Sequence, residues 1–398
     1  MDDRKGGTLF IQFRNSSMNG HFRLLYTPNA FIDRLKAQPP LNIDLPTIHS
    51  AINEFITKCE NAHNSTNGLP FKYTPGSVGI ATTCQLNALC VTSIMFAHYQ
   101  TNGSIPIELW LNRSSTDSAL INSLKREIGK MLHVRFFDEI YSKFLHFFGE
   151  KKPFDDNRYS LKTLVMVGST FQHLIWMDSD VMFIRDPLLI IKSPLVNNSG
   201  MVLWRDIHCI HINNPIWNIM EVNARADWGG ESGVVYINKE ISWKSLYLTI
   251  FMNHNQNIFY RLLFYDKDTY FLASERLKEP YFMMPYAPVA IGDKKMFAFL
   301  QPDPDGGPLF VHLVGNAKRD FKQLIHKNKQ PFTMVLNYDP ERSHLSYCRK
   351  YFCAVSDRRR YIVPNPVPLS DYLNKSTLSL FGSYYKIAEK LVKTSLKK

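Results

Sequence analysis

Asp178 and Asp180, one residue apart in HLIWMDSDVMFIRDP, have the type and spacing best suited to chemistry in this chain. The apolar run before them predicts a buried strand that delivers both carboxylates to its carboxyl end, where open α/β sheets gather their ligands. Two carboxylates so placed can hold one divalent cation, directly or through water, and leave coordination positions for phosphate oxygens. Hard oxygen donors favour Mg²⁺ or Mn²⁺ as that cation. The plainer alternative is that the two aspartates cap a turn. The strand before them and the Asp186-Pro187 turn after them favour the metal.

Further candidates lie at comparable places. His312 closes another apolar stretch in VHLVGNAKRD and is followed by Gly315 and Lys318. A neutral imidazole is a good third ligand, and a lysine neutralises a phosphate. Lys162 stands on the helix predicted before the aspartate-bearing strand, either as a compact cation within reach of a diphosphate or as a solvated helix lysine. Thr82 and Thr83 end the first predicted strand. In WGGESGVVYINK, Glu231, Ser232 and Gly233 combine a carboxylate with small residues that let a ligand approach the backbone closely. DKDTY supplies Asp266 and Asp268, with a helix N-cap as the competing role. His208 and His211 around Cys209 lack a second ligand cluster and read as structural.

The elements that must position these groups follow from periodicity. From Gly76 onward a strand over 77–83, a helix over 86–99 and a strand over 105–111 form a βαβ unit, which implies a parallel sheet with right-handed crossover. A helix is predicted over 117–131, a short strand over 133–137, a helix over 160–169 and the aspartate-bearing strand over 173–177. Strands at 200–203, 233–238 and 309–313 and helices at 243–252 and near 269–273 follow. The fold class is therefore α/β, a Rossmann-like, mostly parallel sheet flanked by helices. Residues 1–75 read as a lead-in with a helix near 48–59, residues 76–330 as the catalytic domain and 331–398 as a C-terminal extension.

A length of 398 residues and 45% apolar residues supply a sizeable core. The formal charge of +12 favours anionic partners. No stacking motif accompanies the basic residues, so nucleic acid is not expected. Of six cysteines, Cys348 and Cys353 are the best disulfide candidates, while Cys84 and Cys90 sit in apolar surroundings and read as core thiols. Sequons at Asn15, Asn64, Asn102, Asn112, Asn197 and Asn374 mildly favour a lumenal life. No run approaches the length of a membrane span, and the first residues lack the regions of a signal peptide, so membrane association requires an anchor that this sequence does not contain.

Taken in order, GIATTCQLNALCVTSIMFAHYQTNGSIPIELW, KTLVMVGSTFQHLIWMDSDVMFIRDP, ESGVVYINK, DKDTYFLA and VHLVGNAK resemble the fungal MNN1-type α-mannosyltransferase family, related to glycogenin-like transferases of the GT-A fold. The resemblance covers roughly residues 76–318. It implies a Golgi or ER lumenal enzyme that moves mannose from GDP-mannose to a glycan or glycoprotein hydroxyl with retention. It implies Asp178, Asp180 and His312 as metal ligands, and Thr82, Thr83, Lys162, Asp178, Ser232, Gly233, Asp268, Gly315 and Lys318 as donor-binding residues. Glu231 and Asp266 are the carboxylates available as nucleophile if a covalent intermediate forms, and the sequence does not separate them. Trp204, Arg205 and Asp206 fall near the acceptor. Tyr265 stands where the family's GDKD has glycine, which puts the shape of that loop in question. A UDP-sugar donor is the nearest alternative, and a glycan-binding module on a decayed transferase scaffold is the non-enzyme one. A haloacid-dehalogenase phosphatase would need a Thr soon after Asp180, and Val181, Met182 and Phe183 follow instead.

Overall fold

The computed structural model describes residues 44–65, 68–115, 117–148, 158–210, 212, 214–225, 228–286, 288–292, 298–314, 334–335, 367–368 and 375–395. Two sheets share the core. Strands β1 (Thr74–Thr83), β2 (Ile107–Leu111), β3 (Leu132–Phe136), β4 (Phe171–Met177), β6 (Met201–Cys209), β7 (Trp228–Asn238) and β8 (Tyr281–Met283) form the first, in the order β3-β2-β1-β4-β7-β6-β8. β1 to β4 are mutually parallel, β7 runs antiparallel to both β4 and β6, and β8 is parallel to β6. The mostly parallel α/β sheet expected from the sequence is thus present, with β7 as its reversed strand.

β5 (Val181–Phe183), β9 (Val289–Gly292), β10 (Ala298–Pro302), β11 (Pro308–Leu313), β12 (Met334–Val335) and β13 (Val367–Pro368) form the second sheet, ordered β13-β12-β9-β10-β11-β5. The residues 178–180 are the link between the two sheets, since β4 belongs to one and β5 to the other. Such a short link holds Asp178 and Asp180 against rigid strands on both sides.

Among the described residues eight longer helices flank the sheets: α1 (Leu45–Asn64), α2 (Ala88–Gln100), α3 (Ser118–Ile128), α4 (Asp138–Phe148), α5 (Arg158–Gly168), α6 (Lys239–His254), α7 (Thr269–Leu277) and α8 (Lys375–Ser395). The α2 sequence ALCVTSIMFAHYQ is apolar nearly all round, which suits a helix covered on more than one side. It lies against β5, and α8 covers it from outside with Tyr384 against Phe96, ring centroids 4.9 Å apart. α1 carries Ile52, Phe55 and Cys59 into the core on a single stripe and packs on α6. Among the described residues no helix is long and apolar enough to cross a membrane.

Two buried polar features hold the edge of the sheet remote from the aspartates. Glu108, fully buried on β2, accepts from Trp110 Nε1 at 3.1 Å and from Thr170 Oγ1 at 2.6 Å. Lys239 at the start of α6 donates to the carbonyls of Val167 (3.2 Å) and Ser169 (2.5 Å), closing the C-terminal end of α5. Burial pushes the Lys239 amine down to about 7, with Glu108 pulling the other way.

One expectation is overturned. Cys84 and Cys90 are not free thiols but a disulfide, with Cα atoms 5.9 Å apart. Leu86 between them takes a left-handed conformation, φ 51°, and turns the end of β1 back onto the first turn of α2, which brings the two sulfurs together. Cys348, Cys353, Gly315, Lys318 and His211 lie outside the described residues.

Candidate active site

Strand register explains why Asp180 and His312, far apart in sequence, meet. β5 and β11 pair antiparallel with His312 opposite Val181, the residue after Asp180, and Leu313 N donates to Asp180 O at 3.1 Å. His312 Nε2 accordingly lies 3.4 Å from Asp180 Oδ1. β7 lies beside β4, where Asp178 N donates to Gly233 O at 2.7 Å. Asp178, Asp180 and His312 therefore each present a ligand atom within 4.8 Å of the others, the sole such group among the described residues.

Around this triad the charges alternate. Lys162, 5% exposed, reaches from α5 and places Nζ 3.1 and 3.2 Å from the two Asp178 oxygens, 3.2 Å from Asp266 Oδ2, 2.8 Å from Ser232 O and 2.9 Å from Ser232 Oγ. It is not a solvated helix lysine. Burial works against its charge, but Asp178 and Asp266 outweigh it and its pKa is raised. On the other side His312 Nδ1 lies 2.9 Å from Glu231 Oε1, close enough for an ion pair though not aligned for a hydrogen bond. Burial disfavours the imidazolium, yet Glu231 and Asp180 raise its pKa to about 10. Burial pushes Asp178 up to about 6, against Lys162. These shifts come from carboxylates crowded together, and a divalent cation bound among them would oppose them.

The donor set suits a hard cation: two carboxylates and one imidazole, flanked by Glu231 against the ring nitrogen remote from Asp180, as an outer residue that orients a ligating histidine would be. Glu231 Oε1 also accepts from Gly233 N at 2.9 Å, while its Oε2 is buried and takes no hydrogen bond. Asp266, 1% exposed, accepts at Oδ2 from Ser232 Oγ (3.0 Å) and Tyr270 OH (3.3 Å) besides Lys162. Asp268 begins α7 without capping it through its side chain; Oδ1 accepts instead from Gly230 N at 2.7 Å and ties that loop to β7.

Thr82 is fully buried and donates to Thr83 O at 3.3 Å, whereas Thr83 keeps some exposure. The β1–β4 register pairs Ala81 with Trp176, so Thr83 falls level with Asp178. Trp204 is buried and donates to Pro302 O at 2.7 Å, away from any ligand role. Asp206 forms an ion pair with Lys267, the lysine between Asp266 and Asp268. Sequence reasoning passed over Lys267, although three buried acids nearby require a cation. It also passed over Ser93 on α2, which donates to Ser179 O at 3.0 Å and fixes the middle of the aspartate link, and Trp176, which donates to Asp178 Oδ1 at 2.7 Å.

Gly233 has a steric reason to be glycine. A Cβ there would lie 2.6 Å from His312 Nδ1 and 2.8 Å from Cε1. Held between Glu231 and Asp180, the imidazole cannot yield without leaving the triad. Gly233→Ala is expected to weaken Mn²⁺ binding at least about tenfold, measured by calorimetric titration, with little change in unfolding midpoint. Unaltered affinity would remove His312 from the ligand set.

Comparison with known proteins shows the family. Candida albicans alpha-1,2-mannosyltransferase MNN22 is 25% identical over 241 residues, covering 49% of this chain and 39% of that protein. Alpha-1,2-mannosyltransferase MNN23 of the same organism is 25% identical over 173 residues, covering 32% of this chain and 28% of its own length. The matched part thus spans well under half of either relative. Solved glycosyltransferases show more distant likeness. The Saccharomyces cerevisiae mannosyltransferase Ktr4p, in complex with GDP, matches 62% of this chain and 80% of its own at 11% identity with a TM-score of 0.31. The galactosyltransferase LgtC matches 52% and 73% at 13% identity and a TM-score of 0.35. The Mannosyl_trans3 family model matches residues 77–224 and 222–298, more than half of the chain and nearly all of the segment that builds the site, and the chain belongs to that family of mannosyltransferases.

Proposed function

We propose that residues 76–330 form a metal-dependent transferase that moves a mannosyl group from GDP-mannose to a glycan hydroxyl with retention, making an α-mannosidic bond, in the lumen of the secretory pathway. The observation that carries this reading is the convergence of Asp178, Asp180 and His312 at the junction of the two sheets, with Lys162 beside them. A Mn²⁺ or Mg²⁺ ion held there would supply charge neutralisation for a departing diphosphate. The buried Lys162 ammonium would meet the same anion. As the bond from the anomeric carbon to the diphosphate oxygen breaks, the acceptor oxygen bonds that carbon and its proton passes to a base. Glu231 Oε2, buried without a hydrogen bond, is suited to receive a substrate hydroxyl or to stabilise the anomeric centre. Asp266 is the second carboxylate in reach of that space, with Oδ2 engaged by Lys162, Ser232 and Tyr270. Thr83, Ser232 and Gly233 would line the donor, and the resemblance adds Gly315 and Lys318 as binders of its diphosphate. The Cys84–Cys90 disulfide supports an oxidising compartment.

Donor turnover by the purified chain across GDP- and UDP-sugars, in Mn²⁺ and in EDTA, tests the reading. Cation-dependent turnover of GDP-mannose is the expected result. Preference for a UDP-sugar would overturn the donor, and no metal-dependent binding of any donor would leave a glycan-binding module.

A further inference from the structure

Tyr265 holds a backbone conformation that a bulky residue seldom adopts. Its φ is 62°, in the left-handed region, and its N–H donates to Leu263 O at 3.0 Å. Strain of this kind persists where the side chain is needed in one place and its neighbours enforce it. The Tyr265 ring is stacked on Tyr159, with centroids 4.4 Å apart and planes within 18°. Phe264 and Tyr260 meet it edge-on at 5.5 and 5.8 Å. Tyr159 and Tyr265 pack on the core while keeping part of their surface exposed.

The position of this stack relates it to the chemistry. Tyr159 is three residues before Lys162 on α5, hence on the same helix face, and Tyr265 directly precedes Asp266. Lys162 and Asp266 are themselves 3.2 Å apart, so the stacked rings border the ion-paired floor of the site. Lys267 and Asp206 supply a polar margin, with the Lys267 ammonium 4.9 Å from the Phe264 ring centre. The exposed part of the two rings, beside the part-exposed Lys267, offers what a pyranose ring requires: its C–H hydrogens meet aromatic carbon while its hydroxyls reach the polar margin.

We propose that the stacked Tyr159–Tyr265 pair is the platform on which a pyranose ring of the acceptor glycan lies, adjoining the carboxylates that face the donor. The proposal rests on the glycan-transferring reading above and adds the acceptor subsite to it.

Steady-state transfer from GDP-mannose to methyl α-mannoside and to α-linked mannobiose tests it, with the full chain carrying Tyr265→Gly, Tyr265→Phe or Tyr159→Leu. Glycine accepts φ 62° without strain, so Tyr265→Gly removes the ring and leaves the loop a conformation it can hold. Tyr265→Gly and Tyr159→Leu are each expected to raise the acceptor KM about tenfold while the donor KM stays within about twofold. Tyr265→Phe, which keeps the face, is expected to stay within about twofold of the unmodified chain on both. A changed unfolding midpoint with an unchanged acceptor KM would reduce the pair to a packing role and overturn the proposal. Equal rises in donor and acceptor KM would also overturn it, by placing the rings on the donor. Absence of transfer by the unmodified chain from any donor would instead sink the underlying reading.

Discussion

Asp180→Ala is expected to lower cation-supported donor turnover at least about 10³-fold and to abolish saturable Mn²⁺ binding, while the chain still folds. Asp180 is 6% exposed, and its Oδ1 is 3.4 Å from His312 Nε2. Removing it leaves His312 paired with Glu231 on the other side of the ring, so no charge is stranded without a partner. The loss therefore falls on the cation rather than on the core. Asp180→Asn separates shape from charge: it fills the same space, keeps an oxygen, and should retain the unfolding midpoint while losing most of the Mn²⁺ affinity. Adding EDTA to the unmodified chain should reproduce the variant's rate, and EDTA added to the variant should change nothing. Full turnover by Asp180→Ala, or turnover by the unmodified chain that EDTA does not touch, would remove the cation from the mechanism. In that case Lys162, His312 and Lys267 would be the positive groups left among the described residues of the site to meet a departing diphosphate.

Most of the parallel half of the fold was legible in the sequence because each β-strand there is a short apolar run closed by a helix pattern. β1, α2, β2, α3, β3, α5 and β4 follow that rule and fall within a few residues of their predicted places. Of the second sheet only β11, expected over 309–313, was legible. β5 is three residues long, β9 four, and neither carries an alternation long enough to read. That gap matters, because the β5–β11 register is what brings His312 to Asp180. The sequence offered His312 as a ligand through its place at the end of an apolar stretch and through the resemblance, and no local pattern could have fixed the register. Lys162 shows the same limit from another side. Its helix was predicted, but which face it turned inward depended on β7 supplying Ser232 beneath it. The disulfide was misjudged because apolar flanks around Cys84 and Cys90 describe a core thiol and a buried disulfide equally well, and the turn at Leu86 is invisible to composition. Tyr265 could have been read correctly from its neighbours. The family glycine it replaces implied a left-handed residue, and the structure keeps that conformation with a tyrosine in it.

Lys162→Met should show how far the site is held together by charge rather than by packing. The lysine is 5% exposed and its ammonium is shared by Asp178, Asp266 and the backbone and hydroxyl oxygens of Ser232. Methionine fills a similar volume, so little cavity is made and the hydrophobic change is small. What changes is that the buried Asp266 and the part-exposed Asp178 lose the cation between them, and breaking a buried pair by removing one partner costs about 3–5 kcal/mol. Urea unfolding in EDTA is therefore expected to show a loss of that order, with the slope against denaturant unchanged. A cation ligated by Asp178 would neutralise one of the two stranded acids, so saturating Mn²⁺ should restore part of the loss in the variant and add less to the unmodified chain. Turnover should remain at least about 10²-fold down even in Mn²⁺ on the proposal that the Lys162 ammonium meets the diphosphate. Lys162→Arg would not rescue it, since a planar guanidinium cannot occupy a position built for a compact ammonium with acceptors on several sides. If Lys162→Met unfolded at the same denaturant concentration as the unmodified chain in EDTA, Asp178 and Asp266 would have to be protonated or solvated there, and the alternating charges would not be what organises the site.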